Sequence, residues 1–213
     1  MHRSPEERAA VLVELLRSKP WVRRALSGLS VLLLLGGVAL VGYPFFTNVW
    51  QDRVQDRLTR QLATPQLEQA YRERRVGTGD SLTRVKIPRL GVDVVVVEGT
   101  TPSALRAGAG HYAETALPCE MGNFGVAGHR TTFGKPFANI DQLRPGDTIQ
   151  VQTPVGGCEY RVSQDPWVVD PGEMTVLDPT PDKALTFTTC HPKGSAKERL
   201  IVRATWVKDV SRT

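Results

Sequence analysis

The spacing of apolar positions changes character twice along the 213-residue chain. Residues 25–46, ALSGLSVLLLLGGVALVGYPFF, run 22 positions without a charge. At about 1.5 Å of rise per residue, a helix of that length crosses the roughly 30 Å hydrocarbon core of a bilayer. Residues 51–75 are polar and helix-compatible. Val54, Leu58 and Leu62 recur every fourth position, Pro65 interrupts, and Leu67, Ala70 and Tyr71 resume. This stretch reads as a solvated spacer helix broken near Pro65. Gly77-Thr78-Gly79-Asp80-Ser81 is a turn-rich boundary. Beyond it the apolar positions fall into short β-type runs at 85–87, 92–97, 123–127, 148–153, 159–162, 167–169, 184–190 and 200–207, separated by Gly/Pro turns. Only 103–107 and 137–143 suit a turn or two of helix. The expected division is an N-terminal segment (1–24), an apolar anchor (25–46), a stalk (47–80) and an all-β domain (81–213), built as a compact barrel or sandwich.

Charge sharpens the anchor. Lys and Arg exceed Asp and Glu by 5 in all, and residues 1–24 alone carry a surplus of 3. Arg17, Lys19, Arg23 and Arg24 precede the uncharged run, Trp21 lies before it, and Tyr43, Phe45, Phe46 and Trp50 close it. Flanking cations and interfacial rings predict a single-pass helix with a cytoplasmic N-terminus and residues 51–213 outside. A cleaved signal sequence fits less well, because its apolar region is about 7–15 residues and ends in a small-x-small site. Here no such triplet closes the run, and Gly37-Val38-Ala39 lies in its middle. No basic run with interleaved aromatics follows, so nothing points to nucleic acid.

Candidate chemistry sits in two places. In Thr186-Phe187-Thr188-Thr189-Cys190-His191-Pro192, strand alternation sends Leu185 and Phe187 to one face and Thr186, Thr188 and Cys190 to the other. Pro192 cannot extend a ladder, which places Cys190 at the end of its strand. After an eight-residue loop a second strand starts at Arg199. In a hairpin Cys190 and Arg199 sit opposite each other, where a guanidinium favours thiolate and holds an anionic or carbonyl oxygen. The second place is Val126-Ala127-Gly128-His129-Arg130, where an apolar strand gives way to a polar loop. A thiol needs a base or imidazolium partner near neutral pH, and His129 at a strand end supplies one. His111 and His191 compete for that role. His191 adjoins Cys190 and faces the other way, and the surroundings of His111 do not improve on those of His129.

Taken together these residues resemble the sortases, membrane-anchored cysteine transpeptidases of Gram-positive cell surfaces. Thr186-Phe187-Thr188-Thr189-Cys190 is similar to the family's TLxTC signature, with Phe187 where Leu is usual. Gly128-His129-Arg130 matches the His motif, and Arg199 falls on the family's Arg. Thr189-Cys190-His191-Pro192 with Ser195-Ala196 resembles class E sortases of actinobacteria. The resemblance covers about residues 81–208 and implies an eight-stranded sortase-type β-barrel. It also implies cleavage of an LPxTG-like, or in class E an LAxTG-like, sorting signal through a Cys190 thioester, followed by transfer to a peptidoglycan-precursor (lipid II-like) or pilin amine. In that reading His129 is the acid/base, Arg199 binds substrate and the oxyanion, and Tyr112 contacts the signal. Thr188 and Thr189 either line the groove or serve neighbouring backbone groups. Implied partners are surface proteins carrying the signal, at the cell membrane.

A membrane-tethered adhesin leaves the Cys/His/Arg coincidence unexplained. A papain-like hydrolase places Cys before His and on a helix, the reverse of this chain. No metal-ligand spacing occurs and no cofactor is implied. With Cys190 taken as the nucleophile, Cys119 and Cys158 remain as one potential disulfide in a domain expected outside the cytoplasm. The alternative is two unrelated small residues in turns.

Overall fold

A computed structural model of the chain describes residue 14 and residues 19–211, with backbone alone over 43–49. The expectations resting on Arg17 and on the rings of Tyr43, Phe45 and Phe46 lie outside the described residues. Helix α1 is Pro20–Leu62. Its apolar span, Pro20–Gly42, has a mean hydropathy of 2.2 and none of its residues is buried. That span starts five residues before the expected one.

Residues 47–213 form a compact unit of their own. The second part of α1 belongs to it, and the spacer reading of this stretch gives way to a packed one. Leu58, with Val54 beside it, packs on Val95, Val97 and Ala104. Gln55 accepts from the Val95 amide and donates to Ala107 O, and Gln51 donates to the same carbonyl. Pro65 opens a second helix, α2 (Pro65–Arg72), as its first residue, with the Thr64 hydroxyl capping the Leu67 amide. Tyr71 of α2 is buried and joins the barrel core. Helix α3 (Pro102–Ala107) starts the same way on Thr101.

The strands are β1 (Ser81–Ile87), β2 (Val92–Glu98), β3 (Ala109–His111), β4 (Asn123–Ala127), β5 (Thr148–Thr153), β6 (Gly156–Val162), β7 (Trp167–Val169), β8 (Ala184–His191) and β9 (Glu198–Val210). They form one sheet in the order β6-β5-β1-β2-β3-β4-β8-β9, and a further β6–β9 pairing closes it into an eight-stranded barrel. The eight are not the eight read from the sequence. The expected run 167–169 is β7, which pairs with β9 outside the closed ring. The missing barrel strand is β3, three residues parallel to β2 and antiparallel to β4. Strand β2 explains its own unbroken run of valines. Val94 and Val96 face the barrel core while Val95 and Val97 face α1 and α3, so both faces are apolar. Inside, Leu185 and Phe187 pack with Phe124, Val126 and Phe137.

Candidate active site

Strands β4 and β8 run parallel with Ala127 beside Thr188. The Gly128 amide donates to Thr188 O at 3.1 Å, so the ladder continues past the end of β4. His129 lies two residues on from Ala127, in the loop, and Cys190 two residues on from Thr188, still on β8. On the other side of β8, Cys190 pairs with Arg199. Cys190 and Arg199 thus face each other across β8 and β9, and His129 opens the loop that follows the neighbouring end of β4, so all three come from the same barrel rim. Strand β8 runs one residue further than expected, pairing His191 with Glu198.

Cys190 is a free, partly exposed thiol. The His129 ring is tilted against Phe133, with centroids 5.1 Å apart. Burial holds its imidazole below the ordinary value of about 6.5. A neutral ring is then ready to accept a proton at neutral pH. Arg199 turns its guanidinium onto its own loop, Nη1 donating to Ala196 O and Glu198 O at 3.0 and 3.1 Å.

The threonines divide. Thr188 lies on the Cys190 face, its hydroxyl 2.9 Å from that of Tyr112. Thr189 faces the other way and takes the backbone-serving alternative, donating to Gly128 O at 2.7 Å. That bond ties β8 to the start of the His129 loop. His111 is 1% exposed, with Nδ1 2.9 Å from Glu98 and Nε2 3.1 Å from Ala116 O, so its ring is taken up inside the fold. His191 Nδ1 accepts from Arg130 at 2.8 Å. Both rival rings are thus engaged by partners of their own. Cys119 and Cys158 are joined in a disulfide with their Cα atoms 5.7 Å apart. A cavity of about 620 Å³ lies elsewhere, lined by Thr59, Arg84, Lys86, Glu159 and Lys208 among others, and includes none of the three rim residues.

The sequence model of the sortase domain matches residues 85–207, more than half of the chain. The chain belongs to the sortase family. Sortase SrtE1 of Streptomyces coelicolor is 37% identical over 150 residues, covering 63% of this chain and 43% of that protein. Sortase D of Bacillus subtilis is 30% identical over 129 residues, 59% of this chain and 63% of that one. The chain therefore spans less than two thirds of either curated relative. The crystal structure of sortase E1 from Streptomyces coelicolor with a tripeptide in the active site matches with a TM-score of 0.59 and 36% identity, over 63% of this chain and 92% of that one. A Clostridium perfringens sortase D5 transpeptidase matches at 0.64 and 30%, over 74% and 98%.

Sequence reasoning missed part of this sortase's rim. Arg130 is 5% exposed. Its Nη2 meets Asp141 at 3.1 Å, and its Nη1 donates to His191 Nδ1 and, at 3.4 Å, to Cys190 O. A guanidinium only donates, so His191 Nδ1 is the acceptor in that bond. Also missed were the His129–Phe133 contact and a clamp on the Val176 carbonyl from Asn123 and Arg203. The only available signal was an Arg directly after His129.

Proposed function

We propose that this sortase is a membrane-anchored cysteine transpeptidase, of class E type, acting on an LAxTG- or LPxTG-like sorting signal. The observation that carries the reading is the pairing of Cys190 with Arg199 at the rim where His129 opens the loop after the neighbouring strand β4. His129 takes the Cys190 proton, and the sulfur attacks the Thr carbonyl of the signal. Arg199, swung from its loop, donates to the oxygen as charge builds there. The C–N bond breaks as His129 returns the proton to the leaving Gly amine, which leaves a thioester on Cys190. An incoming amine, from a lipid II-like peptidoglycan precursor or a pilin, gives up a proton to His129 and attacks the thioester, and the thiol is restored. Tyr112 and Thr188, whose hydroxyls meet on the β8 face that Cys190 shares, contact the signal. The apolar span of α1, preceded by basic residues, anchors the enzyme with its N-terminus cytoplasmic and residues 51–213 outside.

The test is cleavage of fluorogenic LAxTG and LPxTG peptides by the wild type and three alanine variants. Cys190→Ala removes the nucleophile and should leave no detectable turnover. His129→Ala should lose about 10²–10⁴-fold and Arg199→Ala about 10²–10³-fold, all with unchanged circular dichroism. Near-normal turnover by His129→Ala would refute the acid/base assignment. Thioester trapped by hydroxylamine as the peptidyl hydroxamate distinguishes acyl transfer from direct hydrolysis.

A further inference from the structure

The loop after His129 holds an unusual backbone. Phe133, Gly134 and Lys135 lie consecutively in the left-handed region, with φ of 47°, 73° and 47°. Two of the three carry side chains that disfavour it, and such geometry persists only where the surroundings impose it. Within the loop, Lys135 N donates to Thr132 O and Phe137 N to His129 O, which closes the turn but does not choose where it rests. The outside support is the docked part of α1. A Cβ on Gly134 would lie 2.7 Å from Gln51 Cγ and 3.2 Å from its Cδ, so the Gln51 side chain is packed against that residue. Gln51 is itself 6% exposed and held by its bond to Ala107 O at 2.9 Å. The residue before Gly134 is Phe133, whose ring rests against His129. A contiguous chain of contacts therefore runs from α1 to the imidazole: Gln51, Gly134, Phe133, His129.

We propose that Gln51 of α1 is a positioning residue for the catalytic histidine, fixing the His129 ring through Gly134 and Phe133. The inference rests on His129 being the acid/base. Gln51 touches neither substrate nor the reacting atoms. It sets where the imidazole stands, and a displacement of about 1 Å in a reacting group costs up to roughly 100-fold in rate. Substrate binding on the Tyr112 and Thr188 side of the groove is separate from this support, so the effect falls on kcat and not on KM.

The experiment uses the full chain in detergent micelles with ¹³C-labelled histidine, the His129 signal being assigned by its loss in His129→Ala. Gln51→Ala removes the packing on Gly134. Gln51→Met keeps the Cβ–Cγ stem there while dropping the bond to Ala107 O, which Gln55 still supplies. The expected result is a kcat lowered about 10- to 100-fold in Gln51→Ala, with KM within about twofold and near-wild-type values in Gln51→Met. The His129 signal should move in Gln51→Ala and in Phe133→Leu and stay in Gln51→Met. A His129 signal unmoved in Gln51→Ala overturns the proposal whatever the rate does, as does an equal rate loss in Gln51→Met. If the wild type turns over no sorting peptide, the transpeptidase reading fails while the resonance still decides this one.

Discussion

Gly128 separates the strand that delivers His129 from the loop that holds it, and its missing side chain is what lets Phe137 lie beneath. A Cβ there would come within 2.4 Å of the Phe137 ring. Gly128→Ala should therefore lose about 1–3 kcal/mol, the usual cost of overpacking, read as a lower urea midpoint, and should shift the His129 loop with it. The imidazole itself makes a second residue-scale expectation. Burial favours its neutral form, so the unfolded chain binds the proton more tightly than the folded one. His129 then leaves stability intact above about pH 6.5 and draws it down as the pH falls through the lower folded value. A titration of the His129 Cε1–H signal should give a midpoint below 6.5. A midpoint at or above that value would contradict the burial argument. His129→Gln should flatten the acid side of the stability profile.

At the scale of elements, the helices before the barrel change what a minimal catalytic unit must contain. Leu58, Leu67 and Tyr71 are at most 5% exposed, and each buried side chain of this size contributes about 1.5–3 kcal/mol. A protein starting at Thr47 keeps them, and one starting at Val76, the boundary suggested by the turn-rich Gly77–Ser81 stretch, loses all three. The Val76 start should melt well below the Thr47 start, or aggregate through exposed Val95 and Val97. Equal melting temperatures would show that the docked helices add no stability. The four-residue spacing of Val54, Leu58 and Leu62 was visible in the sequence, but what the stripe packs on was not, because a stripe names a buried face and not its partner. The same limit hid β3. Ala109-Gly110-His111 is too short to show alternation, and its pairing depends on strands before and after it in the chain. The Cys190–Arg199 register was legible because a hairpin pairs neighbouring segments. Arg130 was not, since its partners Asp141 and His191 lie far from it in sequence.

For the whole molecule, the disulfide ties the loop between β3 and β4 to β6 across 39 residues. The hydroxyls of Tyr160 and Tyr71 hold the same loop at the Cys119 amide and Pro118 O, and burial pushes the Tyr160 phenol up to about 12. A loop of that size is worth about 4 kcal/mol by the chain-entropy relation. The Cys119→Ser/Cys158→Ser double variant should lose about that much in a urea titration, and the oxidised wild type should show one free thiol when denatured without reductant. Strand β9 has a different reach. It is 13 residues long and pairs with β8, β7 and β6. Its first residues set Arg199 beside Cys190, and its last, from Trp206 to Val210, seal the ring against β6. Synthesis delivers this strand after every other part of the barrel. A nascent chain that contains His129 and Cys190 but not β9 cannot close the ring, and it has no arginine at the thiol. On the roles proposed for Cys190 and Arg199, a product arrested or clipped before β9 carries the thiol without the arginine that would assist it.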